Sequence, residues 1–231
     1  MAIHQLSLSV NEGEILGLIG PNGSGKTTLF NLISGLLKPD KGNIKLGDAN
    51  ITNLPCDKIC QMGIARTFQL TKPFAQMTSL MNVMVGKAFG CRSTWSMKEA
   101  KEEAHGILEL IGLKDKYMTM AGTLGIADRK RLEIGRALAT HPRLLLLDEV
   151  MAGLTPKEIE DAMELMKRIR DLGVTLMVVE HVMKAVLGIS HRLIAINAGE
   201  KIAEGAPKDV VCNEKVIEAY LGKEGDGKFF K

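Results

Sequence analysis

The sequence predicts an α/β fold built on a mostly parallel sheet. Three observations predict it. Apolar runs too short for helices recur along the chain, as "ILGLI" (15–19), "LLLL" (144–147), "VTLMVV" (174–179) and "LIAI" (193–196). Such runs suit strands buried on both faces. Stretches with helical periodicity lie between them, and a glycine-rich turn, "GPNGSG" (20–25), joins the first strand to the first helix. Alternation of this kind is the signature of α/β architecture.

In chain order, the strand at 15–19 leads through that turn into a helix, "KTTLFNLISGLL" (26–37). "KGNIKLGDANI" (41–51) has turn signals at both ends and reads as a hairpin, which would give an antiparallel β edge. Residues 72–125 hold no convincing buried strand and read as a helical lobe inserted into the core, which spans 1–71 and 126–231 of a single domain. Within the lobe, "SMKEAKEEAHGILELIG" (96–112) carries a capping box, Ser96 with Glu99, and an apolar face of Ala100, Ala104, Ile107, Leu108 and Ile111. "LGIADRKRLEIGRAL" (124–138) is a helix in its second half, with Leu132, Ile134, Ala137 and Leu138 apolar. Its start is unusual, because Gly125 stands where a Ser cap would be favoured. The clearest helix is 156–172: Thr155 caps, Pro156 fits the first turn, Ile159, Met163, Met166 and Ile169 form a stripe, Glu164 and Arg168 form an i,i+4 pair, and Gly173 ends it. There is no internal repeat, and "GKEGDGKFFK" (222–231) reads as a frayed tail.

Composition narrows the function. With 45% hydrophobic residues among 231, a sizeable core can form, and Leu, Ile, Val and 13 Met make up for only 4% aromatics. A net charge of +3 is too mild to argue for nucleic acid. No apolar run approaches the ~20 residues needed to span a bilayer, and "MAIHQLSLSV" lacks the features of a signal peptide. Cys56, Cys60, Cys91 and Cys212 show no metal-type spacing and are expected to be reduced thiols.

"GPNGSGKTT" (20–28) matches G-x-x-x-x-G-K-[ST] in its required context, after a strand and opening a helix. Gly20, Pro21, Asn22, Gly23, Ser24, Gly25, Lys26, Thr27 and Thr28 are therefore the candidate nucleotide-binding residues. The glycines let backbone N–H groups face phosphate oxygens, and the helix N-terminus adds its dipole. Lys26 would reach the β and γ phosphates, and Thr27 would offer a hydroxyl to Mg²⁺. "RLLLLDEV" (143–150) is a buried strand ending in two acids. Beside a P-loop, Asp148 can hold Mg²⁺ through water, and Glu149, pointing the other way, can polarise an attacking water. His181 follows the strand in "VTLMVVEHV" (174–182), at the end of the sheet where α/β proteins bind ligands. Gln69, in "ARTFQL" (65–70), precedes the helical lobe.

This ordered set resembles the ATP-binding subunits of ABC transporters over nearly the whole chain. The residues that carry the resemblance are "GLIGPNGSGKTTLFNLISG", "GIARTFQ", "RLEIGRALA", "LLLLDEVMAGLTP", "VVEHVMKAV" and "KIAEGAP". With "VIEAYLG" (216–222), the chain looks most like the subunits of branched-chain amino-acid importers. The resemblance implies a P-loop NTPase core and a peripheral subunit on the cytoplasmic face of the membrane. It would hydrolyse ATP with Mg²⁺ to drive a permease. Two such subunits would pair head to tail, each ATP lying between one P-loop and the other subunit's signature helix. Gln69 would touch Mg²⁺ and link ATP to a permease-facing lobe, His181 would contact the γ-phosphate, and Glu149 would be the catalytic base. Partners would be a second ATPase, integral permease subunits and, indirectly, a substrate-binding protein.

The chain departs from the family pattern in three places. Leu124, Gly125, Ile126, Ala127 and Asp128 stand where such proteins carry "LSGGQ". Asp128 would set a negative charge near the polyphosphate. Thr155 stands where many have Asp. The strand and adenine-stacking aromatic that usually precede "AIHQLSLSV" are not in these residues. Either the natural start lies upstream, or this chain binds ATP weakly and separates it poorly from GTP, since base stacking contributes ~1–3 kcal/mol. Calorimetry with both nucleotides checks this, and tight, adenine-selective binding would contradict the weak-binding expectation. Two further readings stay open: a mainly regulatory subunit paired with a more active paralogue, and an importer ATPase for another substrate such as urea.

Overall fold

The computed structural model describes residues 3–69, 72–92 and 96–221. The tail at 222–231 lies outside them. In chain order the elements are β1 (Ile15–Ile19), α1 (Lys26–Ile33), β2 (Lys45–Leu46), β3 (Ala49–Asn50), α2 (Cys56–Gln61), β4 (Ile64–Arg66), α3 (Ser79–Phe89), α4 (Met97–Leu110) and α5 (Ile126–Leu138). They continue with β5 (Leu144–Asp148), α6 (Pro156–Asp171), β6 (Thr175–Val179), α7 (Met183–Ile189), β7 (Arg192–Asn197), β8 (Glu200–Gly205), α8 (Pro207–Val211) and α9 (Glu214–Leu221).

Six strands form one sheet in the order β4-β5-β6-β1-β7-β8. All neighbours are parallel except β7 and β8. The four apolar runs became β1, β5, β6 and β7, and every residue of β1 and β6 is buried. The alternation along each strand sorts the core into two layers. Leu16, Leu18, Leu146, Met177 and Val179 face Leu29, Phe30 and Ile33 of α1. Ile15, Leu145, Leu147, Leu176 and Val178 face the other way, toward Leu80 and Val83 of α3, Leu132 and Ile134 of α5, and Leu165, Met166 and Ile169 of α6. The nucleotide loop therefore emerges from the central strand with helices on both sides of the sheet.

Sequence reasoning missed β4 and β8, which are short or polar and lack an apolar run. The hairpin at 41–51 is present as β2 and β3, but it forms a separate two-stranded sheet, and the antiparallel edge of the main sheet is β8. α1 stops at Ile33 rather than running to 37, because Gly35 takes a left-handed φ of 75°. Between 72 and 125 the described residues hold α3, α4 and two short 3₁₀ turns, with a single isolated bridge between Thr78 and Met120. Ser96 caps α4 by accepting from Glu99 N at 3.4 Å. Thr155 caps α6 as read, and Glu158, which the sequence reading did not single out, bonds back to it to complete a capping box. One pairing was misread: Glu164 bonds Lys167 at 2.7 Å, not Arg168. Exposed i,i+3 and i,i+4 pairs differ by only tenths of a kcal/mol, so sequence spacing does not choose between them.

Candidate nucleotide-hydrolysis site

The loop between β1 and α1 is shaped by two glycines. A Cβ at Gly20 would lie 2.1 Å from the Ile196 carbonyl oxygen, so the chain there packs directly on β7. Gly25, the residue before α1, has a left-handed φ of 108° and offers no side-chain cap. α1 also lacks an acidic residue in its first turn, which leaves its N-terminal donors and positive dipole end to an outside anion. Ser24 is buried and its Oγ has no protein partner. Lys26 is 7% exposed, and its Nζ donates to the carbonyls of Gly20 (2.7 Å) and Pro21 (2.9 Å). Burial lowers its pKa, with the charges of Glu149 and Asp148 opposing. An open glycine-rich cradle, an orphaned buried hydroxyl and an uncapped helix start fit a polyphosphate.

β5 delivers Asp148 to the same end of the sheet. It is buried, and Arg66 at the end of β4 donates to its Oδ2 at 2.8 Å. Arg66 also bonds Asn31 Oδ1 of α1 and lies over the rings of Phe30 and Phe68. Thr27 is exposed at the start of α1, and no bond links it to Asp148. A hydroxyl and a carboxylate are the oxygen donors that suit Mg²⁺.

At Glu149 the chain leaves the strand with φ at 51°, outside the ordinary region for such a residue. That turn sets the carboxylate between two donors. Gln69 Nε2 lies 2.6 Å from Glu149 Oε2, and His181 Nε2 lies 2.9 Å from Oε1. Three residues read separately from the sequence, on three different segments, thus meet at one carboxylate.

Sequence reasoning missed the residues that support this cluster. Lys130 and Glu133, one turn apart on α5, are both buried. Lys130 Nζ donates to the carbonyls of Glu149 (3.1 Å) and Ala152 (2.6 Å), and Glu133 accepts from Phe68 N at 2.8 Å, one residue before Gln69. Glu180 accepts from Met151 N at 2.7 Å. Burial pushes its carboxyl up to about 7, with the Met151 N–H and Lys130 pulling it down. The one available signal was the "VVEHV" end of β6, where Glu180 adjoins His181. Charges on α5 read equally well as a solvated face.

The start of α5 is as unusual in space as in sequence. Leu124 is buried, while Gly125 precedes α5 with no side-chain cap and Ile126 is 65% exposed. Ala127 is half-buried. Asp128 is held by Lys116 Nζ at 2.5 Å, so its charge is compensated from within the chain rather than left facing outward.

A P-loop on the central parallel strand β1, with an acid pair at the end of β5 on the far side of β6, defines a nucleotide hydrolase of the P-loop class. The ABC transporter family matches residues 3–152, and the family described as "Branched-chain amino acid ATP-binding cassette transporter" matches 200–226. The chain is 40% identical to the high-affinity branched-chain amino acid transport ATP-binding protein LivG of Salmonella typhimurium, over 96% of this chain and 92% of that protein. It is 38% identical to the corresponding BraF of Pseudomonas aeruginosa over the same shares. Among solved structures, an ABC-transporter cassette in its ADP conformation superposes with a TM-score of 0.86 at 35% identity, covering 96% of this chain and 93% of that one. A dimeric cassette bound to ADP and Pi superposes at 0.80 and 28%, covering 89% and 90%. The chain belongs to the ABC-transporter ATP-binding subunits, among the LivG- and BraF-like proteins. It is an ATPase subunit, and no helix among its described residues is long and apolar enough to cross a membrane.

Proposed function

We propose that this chain is the catalytic ATP-hydrolysing subunit of an importer for branched-chain amino acids, held peripherally on the cytoplasmic face of the membrane by its permease. The observation that carries the catalytic part is the convergence of Gln69 and His181 on the Glu149 carboxylate. In this reading Gly20 to Thr28 hold the phosphates, with Lys26 turning from the loop carbonyls to the β and γ oxygens. Thr27 and the Gln69 amide oxygen would hold Mg²⁺, with Asp148 reaching it through water. Held there, Mg²⁺ would supply positive charge to offset the negative charge developing on the phosphates. Glu149 takes a proton from the water that attacks the γ-phosphorus, ADP leaves with the bridging oxygen, and His181 steadies the γ oxygens. Arg66 holds Asp148 in place, and α5 braces both the Gln69 segment and the loop after Glu149. Residues 1–71 and 126–231 act as the nucleotide core of one domain, and 72–125 as the lobe that meets the permease.

The substrate assignment is supported by the kinship with LivG and BraF. Its test is ATP-driven uptake by proteoliposomes holding the two ATPases, the permease subunits and the binding protein. Leucine, isoleucine or valine should enter. Uptake of urea alone would overturn the substrate while leaving the ATPase reading intact.

The signature supports an asymmetric pair. Without the Ser hydroxyl, α5 closes on a partner's ATP through backbone N–H groups and dipole alone, forgoing a contact of ~1.5–3 kcal/mol. Two copies of this chain should make a poor ATPase, and a paralogous signature should face the ATP on this P-loop. A Cβ at Gly125 meets nothing within 4 Å, so Gly125→Ser fits without strain. It should raise turnover of the chain alone by about tenfold, within the range a charged-acceptor hydrogen bond allows. A homodimer already matching the full complex, or no gain from Gly125→Ser, would show that the altered signature carries no penalty.

A further inference from the structure

The segment "VIEAYLG" has no part in the mechanism above, yet it reaches the nucleotide loop. On α9, Val216 is fully buried in a cluster with Ile19 of β1, Val186 of α7, and Leu193 and Ala195 of β7. One turn later the Tyr220 ring packs on the same cluster. Its hydroxyl extends to the residue just beyond β1: the Gly20 N–H donates to Tyr220 Oη at 2.7 Å.

Gly20 is buried and follows Ile19, the last residue of β1 paired with β7, so its N–H must find an acceptor outside the ladder. The Gly20 carbonyl is the one that accepts from Lys26 Nζ at 2.7 Å. The residue is thus held on both of its backbone polar groups, by Tyr220 at the N–H and by Lys26 at the carbonyl. It has no room to shift toward β7, since a Cβ there would sit 2.1 Å from Ile196 O. Burial raises the Tyr220 hydroxyl above the usual tyrosine pKa, with the Gly20 N–H opposing, so the group stays protonated through the neutral range.

We propose that Tyr220 is a positioning residue for nucleotide binding: its hydroxyl pins the Gly20 backbone and makes the C-terminal helix a structural part of the phosphate loop. This rests on the P-loop reading given above. Among the described residues no hydrogen bond joins Tyr220 to Glu149, Gln69 or His181, so its effect belongs in ATP affinity and not in the chemical step.

The test is Tyr220→Phe, which keeps the ring in the apolar cluster and removes the hydroxyl that accepts from Gly20. In the full chain, amide exchange at Gly20 should accelerate by about tenfold, the scale set by leaving a buried donor unsatisfied. In the assembled transporter the KM for ATP should rise by roughly the same factor while kcat stays within about twofold. Faster exchange confined to residues 20–26 supports the proposal. Uniformly faster exchange along β1 would mark general destabilisation and overturn it. Unchanged Gly20 exchange with unchanged KM, or a fall in kcat at constant KM, would also overturn it. The exchange readout needs no nucleotide, so failure of the ATP site itself, seen as no ATP binding by the wild-type chain, is distinguishable.

Discussion

Glu149→Gln is expected to keep ATP bound and to slow its hydrolysis by about 10²–10⁴-fold, the usual contribution of a positioned general base. The substitution is close to isosteric. It leaves the P-loop, Lys26 and Asp148 untouched, so affinity should hold. Two things change at the reacting end. The amide cannot take a proton from water, and it cannot accept from both neighbours as the carboxylate does, at 2.6 Å from Gln69 and 2.9 Å from His181. With cleavage blocked, the ATP-bound dimer should persist. Filtration of the complex after a single turnover, with the retained nucleotide scored as ATP or ADP, checks this. Retained ADP at the wild-type rate would show that another group is the base.

Lys26→Ala should weaken ATP binding by roughly 10- to 150-fold, from a charge-assisted phosphate contact of ~1.5–3 kcal/mol. The fold should tolerate it. Ala is the best helix former and suits the first position of α1, and removing a cation that is 7% exposed also removes its desolvation cost. The carbonyls of Gly20 and Pro21 lose their donor, so the loop should loosen as well. Calorimetric titration with ATP reads the loss, and unchanged affinity would sink the P-loop assignment.

The legible part of this molecule was the part written in repeated or strongly typed residues. The four apolar runs identified the parallel centre of the sheet, because strands buried on both faces need no polar alternation. "GPNGSGKTT" located the nucleotide loop, and Thr155-Pro156 located the start of α6. What stayed hidden lay in tertiary pairings. β4 has only Ile64–Arg66 to announce it, and the Arg66 side chain reads as surface charge until Asp148 is placed beside it. Lys130, Glu133 and Glu180 are ionisable residues in buried positions, which sequence pattern assigns to solvent. Their burial is tolerated because backbone groups of the catalytic loops partner them. Asp128 illustrates the limit from the other side: its charge looked directed at a partner's phosphates, and Lys116, 12 residues earlier, holds it. Gln69 carried no signal of its own in the sequence and was picked out only by the family resemblance; its contact with Glu149 gives it a physical partner.

The most direct test of a catalytic rather than regulatory subunit is substrate-stimulated ATP turnover by the complete transporter, with Glu149→Gln carried by this chain alone and its partner ATPase left wild type. Leucine-loaded binding protein should stimulate the wild-type complex, and the altered complex should lose most of that stimulated turnover. Full leucine-stimulated turnover with Glu149→Gln in place would put the chemistry in the partner subunit and contradict the account.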